Sequence, residues 1–171
     1  MSAENKPKRY WVVIVVVAAA AALVLGVVAL GIILGVAVPA WRNAVTAGNE
    51  TSAVLTLNTI AVEQRTYFNK NGRRGYGTFE QLVEGGALDA RFSADAPVVG
   101  GYVFTMSVRP GAGGSPPFFR VNADPLRKDG LGATGKRHFY IDSTLDSVRV
   151  NDQRPATATD RPYAFEVRGG S

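Results

Sequence analysis

The stretch richest in residues that could do chemistry runs from 127 to 146. Within it "GLGATGK", residues 130–136, carries the two glycines and the lysine of a phosphate-binding loop. Arg137 stands where that motif needs Ser or Thr, and "RHFYIDS" after it reads as a strand, not as the helix whose N-terminal amides would hold phosphate. A glycine-rich turn is therefore expected. His138, the only histidine, would share a strand face with Asp142, four residues on. One histidine in a chain without cysteine supplies too few nitrogen or sulfur ligands for a transition metal, which leaves only an all-oxygen site to weigh. "DSTLD", with Asp142 and Asp146, is most simply a hairpin turn, because Asp and Ser bond to nearby backbone groups. No nucleophile lies beside an evident base, so no catalytic residue, metal or cofactor is expected and the chain does not read as an enzyme.

The remaining candidates are cationic. Arg73, Arg74, Arg127, Lys128, Lys136 and Arg137 fall in expected loops. Gathered on one face beside Tyr76 they would suit an acidic ligand such as DNA, a polysaccharide or anionic lipid; scattered, they only solubilise the surface. The net charge of +5 divides into +2 for residues 1–9 (Lys6, Lys8 and Arg9 against Glu4) and +3 for the remainder (16 basic, 13 acidic), which is too small to argue nucleic-acid binding by itself. "NET", Asn49 to Thr51, is a glycosylation sequon only in a host that uses it.

These residues must be held by something, and the chain opens with an element of a different kind. From Trp11 to Val38 no residue is charged, and all but Gly26, Gly31 and Gly35 are apolar. At about 1.5 Å per residue this is roughly 40 Å of helix, longer than a bilayer's hydrocarbon core. A cleaved signal has an apolar region of about 7 to 15 residues. Although "AVPA" at 37–40 could be cut, the length favours an uncleaved anchor. Lys6, Lys8 and Arg9 precede the span and Arg42 alone follows closely, which puts the N-terminus in the cytoplasm; Tyr10, Trp11 and Trp41 suit the headgroup layers. The expected division is a cytoplasmic tail (1–9), a transmembrane helix (10–39), its amphipathic continuation (40–70) and an exported domain (71–171). Gly31 and Gly35 have the spacing that lets a second helix approach, either in a homo-oligomer or with another membrane protein.

Beyond Pro39, where a kink is expected, Val54, Leu57, Ile60, Ala61, Gln64, Tyr67 and Phe68 recur at helical spacing, while Glu50, Asn58, Glu63 and Arg65 are read as falling elsewhere. The helix should stop near Asn69, ahead of Gly72 and Gly75. "TFEQLVEGG" reads as a short helix with Thr78 as its N-cap. "GYVFTMSVRP" alternates as a half-buried strand, "PFFRVNADP", "RHFYIDS" and "SVRVN" follow as three more, and "YAFEV" is a last strand-like piece. The fold class is α+β: a long N-terminal helix, half transmembrane and half amphipathic, on a small antiparallel sheet of about four strands.

"GNETSAVLTLNTIAVEQRTYFNKNGRRGYGTFEQL", then "GYVFTMSV" and "RHFYIDSTLDSVRV", resemble in order the type IV pilins and pseudopilins, over about Val36 to Val150. The resemblance implies a half-hydrophobic helix packed on an antiparallel sheet, and subunits that associate through their helices in pili or secretion pseudopili. It also implies a Gly–Phe processing site and a nearby Glu in the helix. Counting back without gaps from Pro39, those positions hold Val17, Ala18 and Ala22, and no Asp or Glu occurs from Tyr10 to Val38. The function expected is that of a pilin-like protein in a bacterial inner membrane, acting by association as a non-standard pilin, pseudopilin or accessory part of a type IV pilus or type II secretion-like apparatus. The alternative is an anchored binding module with the same fold, taking DNA or an acidic polysaccharide.

Overall fold

The structure is a computed structural model that describes residues 8–130 and 132–164. Met1 to Pro7 of the expected tail, and Phe165 to Val167 of "YAFEV", lie outside the described residues. The chain divides into two compact units, Met1–Ala44 and Val45–Ser171.

Helix α1 (Lys8–Ile32) and a π-helical turn at Ile33–Ala37 belong to the first unit, and α2 (Val38–Lys70) begins there and continues into the second. Among the described residues this is one helix, Tyr10–Lys70, long and apolar enough to cross a membrane. The π turn sits just before Pro39. Proline has no N–H to donate and its ring crowds the carbonyl four residues back, so a widened turn in which Val38 N–H reaches back to Ile33 O makes room for it. From Tyr10 to Val36 the large apolar side chains are 51–74 % exposed. Gly26, Gly31 and Gly35 each open onto empty space.

In the second unit, α2 buries one stripe: Glu50, Ala53, Val54, Leu57, Ile60, Ala61 and Gln64. Glu50 corrects the sequence reading, which placed it off this face; steps of three and four along 50, 54, 57, 61 and 64 keep it on the stripe. The helix ends at Lys70, where Gly72 (φ 62°) and Arg73 (φ 61°) turn left-handed and Arg73 N–H bonds Phe68 O at 2.8 Å. Helix α3 (Phe79–Glu84) begins at Thr78 with a reciprocal cap, Thr78 hydroxyl accepting from Gln81 N–H and Gln81 side chain accepting from Thr78 N–H.

The sheet has six antiparallel strands in chain order, β1 (Val98–Val99), β2 (Tyr102–Arg109), β3 (Phe118–Pro125), β4 (His138–Asp142), β5 (Arg149–Asn151) and β6 (Arg161–Pro162). The four strands expected are β2 to β5. The two edge strands have only two residues each, too few to show alternation in sequence. Tyr163 and Ala164 of "YAFEV" follow β6. On one face Tyr102, Phe104, Phe119, Val121, Ala123, Phe139, Ile141 and Val150 form one core with the α2 stripe, Phe79 and Phe92. Yet β4 is buried at every residue, so its other face is covered too. The loop after β5 supplies a cover: Ala156 is buried and its carbonyl accepts from Asn122 Nδ2 at 2.9 Å.

Candidate functional site

The glycine turn that resembles a phosphate loop is already occupied by a carboxylate of the chain itself. Glu50 Oε1 accepts from the backbone N–H groups of Lys136 (2.8 Å) and Arg137 (3.3 Å), and Glu50 Oε2 accepts from Arg137 Nε (2.8 Å). Arg137 Nη2 adds an ion pair at 2.8 Å. Consecutive amides that would suit an anion thus hold a side chain of α2. Asn49, one residue earlier, donates to Thr134 O at 2.8 Å. Gly135 packs so closely on Tyr102 that a Cβ would collide with the ring, while the Tyr102 hydroxyl donates to Arg137 O at 2.9 Å. Burial, with the Glu50 charge, raises the Tyr102 pKa well above that of a free phenol, so it stays a neutral donor. Burial opposes the charge on Arg137, but its hydrogen bonds and attraction to Glu50 outweigh this and raise its pKa. Its guanidinium lies over Tyr163, 5.2 Å from the ring centre.

Around this clamp lies a cleft of about 540 Å³ bordered by Lys128, Lys136 and Arg137 and equally by Glu50, Asp129 and Asp152. Of the cations expected to meet an acidic ligand, three border it. Arg137 is engaged by Glu50, and Lys128 Nζ donates to Gln153 O at 2.8 Å. Asp152 pairs with Arg161 at 3.0 Å. Arg127 is not part of this border: its backbone closes a loop on Thr134, and its guanidinium lies against Gly132. Arg73 and Arg74 belong to the turn after α2. Tyr76 stacks on Phe68 and meets Phe119 edge-on, both at 4.8 Å, at the start of β3, whereas Lys128 follows its end, about 20 Å along the strand. The two basic groups therefore do not form one patch.

His138 does not take the acidic partner nearest in sequence. Its Nδ1 lies 2.6 Å from Asp124 Oδ1 on the neighbouring strand. Asp142 instead accepts from Tyr140 hydroxyl (2.8 Å), Thr144 N–H (2.8 Å) and Thr144 hydroxyl (2.7 Å), which makes "DSTLD" the turn between β4 and β5. Burial and the bond to Asp142 raise the Tyr140 pKa.

Two polar anchors escaped the sequence reading. Gln64, expected on the stripe but given no role, is fully buried and pairs its amide with Gly77, donating to O at 2.6 Å and accepting from N–H at 2.9 Å. Asp160 accepts from Asn151 Nδ2 (2.7 Å), Thr157 N–H (2.7 Å) and Thr157 hydroxyl (2.8 Å), and pairs with Arg154 at 3.1 Å. The hydrogen bond from Asn151 leads the causes that hold its pKa down at about 2. A polar residue in register with an apolar helical stripe was the available signal for Glu50 and Gln64; a turn-rich run ending in Asp was the only one for Asp160.

The described groups thus comprise an exposed apolar helix, suited to lipid or other helices, and a sheet domain whose buried charges are spent on its own loops. No family model, no curated protein and no solved structure matches the chain.

Proposed function

We propose that the protein is a single-pass, pilin-like protein of a bacterial inner membrane, acting by protein association. Residues 1–9 lie in the cytoplasm, 10–39 span the membrane, 40–70 continue the helix, and 71–171 form the periplasmic domain. One observation carries this reading: an exposed apolar surface from Tyr10 to Val38 on the same helix that, after residue 45, buries an apolar stripe against an antiparallel sheet. A carboxylate in such a helix is costly and kept for function. Its absence at Ala22 and throughout the span favours a lasting anchor over a subunit drawn out into a filament. The role is then that of a non-standard pilin or pseudopilin, or an accessory partner in a pilus or type II secretion-like apparatus, meeting other helices at Gly31 and Gly35. The acidic-ligand reading draws less support, because the cleft's three cations face three carboxylates.

Fractionation of cells tests the proposal. The protein should remain in the membrane pellet at alkaline pH, be digested only by protease added from the periplasmic side, and be missing from sheared surface filaments. Recovery in the sheared fraction would assign it to the filament instead.

A further inference from the structure

One edge of the sheet is only partly covered. β1 pairs Val98 with Val103 and Val99 with Tyr102, and Phe104 N–H donates to Pro97 O at 2.9 Å. The Phe104 backbone groups therefore point away from β3, and by the alternation of an antiparallel ladder so do the N–H and C=O of Met106 and Val108. The far side agrees: Phe119, opposite Val108, turns its carbonyl to Ser143 N–H and away from β2. Among the described residues no strand pairs with β2 beyond Phe104 on this side, so Met106 and Val108 present open backbone donors and acceptors.

Beside this edge is a cleft of about 520 Å³, bordered by Thr78, Phe79, Glu80, Ser93, Ala94 and Asp95 and by half-buried Met106 and Val108. Glu80 and Asp95 are both exposed, no basic residue borders the cleft, and among the described residues neither acid is in an ion pair. An open strand edge, the apolar side chains of Met106 and Val108 beside it, and two exposed carboxylates in no ion pair among the described residues call for the same guest.

We infer that this edge docks an extended peptide segment, from another protein, that places lysine or arginine at alternate positions. The guest adds as a strand, exchanging backbone hydrogen bonds with Met106 and Val108. Its basic side chains lay their aliphatic stems along Met106 and Val108 and carry their charges to Glu80 and Asp95. Its intervening residues fall on the sheet face of Thr105 and Ser107, where β-branched side chains fit. This inference is independent of the membrane reading.

The test uses the full chain in detergent and a blocked hexapeptide of alternating valine and lysine. Hydrogen exchange of the Met106 and Val108 amides should slow about tenfold or more with this peptide, and not with its valine–glutamate counterpart or with a form N-methylated throughout the backbone. Val108→Pro removes an N–H that β3 does not use and should abolish binding; Glu80→Gln with Asp95→Asn, both at exposed positions, should weaken it about fivefold or more. Unchanged exchange at millimolar peptide, or protection that survives N-methylation, would overturn the inference. So would protection that grows with protein concentration alone, which would make a second copy the occupant.

Discussion

At the residue scale, Glu50 decides how the loop before β4 is attached. It is 6 % exposed, and its two oxygens serve two backbone amides and a guanidinium. Removing one partner of such a pair strands the others, so Glu50→Ala should cost about 3 kcal/mol. Urea denaturation checks this, with Glu50→Gln expected in between because it keeps the acceptor for the amides and loses the charge. Gly135→Ala should also destabilise, by about 2 kcal/mol or more, since its Cβ collides with Tyr102 and overpacking moves both groups. Asp160 gives the pH dependence. Its pKa is lowered from 3.8 to about 2, so its contribution is fully present above the higher value and disappears as pH falls towards the lower. The melting temperature should drop between about pH 4 and pH 2, and Asp160→Asn should be less stable at neutral pH with a shallower acid limb.

At the scale of elements, α2 is two-sided, and neighbouring leucines measure it. Leu57 is fully buried while Leu55 is 55 % exposed. Leu57→Ala should cost about 2–5 kcal/mol by opening a cavity, and Leu55→Ala less than about 0.5 kcal/mol; equal losses would mean that the stripe is misplaced. This face was legible in the sequence because apolar spacing of three and four survives in Val54, Leu57, Ile60 and Ala61. Strand β2 was legible for the same kind of reason, through Tyr102 and Phe104 against Val103 and Thr105. Glu50 was misread because its charge argued for water, whereas Arg137, 87 positions away, supplies its partner. The His138–Asp124 pair depends on strand register, which no local pattern in either segment encodes. Strands β1 and β6 exist by pairing with longer neighbours rather than by their own sequence. Whether the loop cations meet on one face was not legible, because loop position says nothing about which end of β3 a loop meets.

At the scale of the whole molecule, the proposed function depends on what becomes of the apolar helix. Exposed valine, leucine and isoleucine side chains along Tyr10 to Val38 are unfavourable in water by about 25 cal/mol for each Å², so this surface needs lipid or other helices around it. The residues at 17, 18 and 22 offer neither the processing pair nor the carboxylate that the pilin resemblance implies. The most direct measurement is the intact mass of the protein extracted from membranes. The expected result is a mature chain that still contains residues 10–39 in full. A mass corresponding to a chain that starts at Ala18 would instead mark a processed filament subunit, and one that starts near Ala40 or Trp41 would mark a cleaved signal and no anchor.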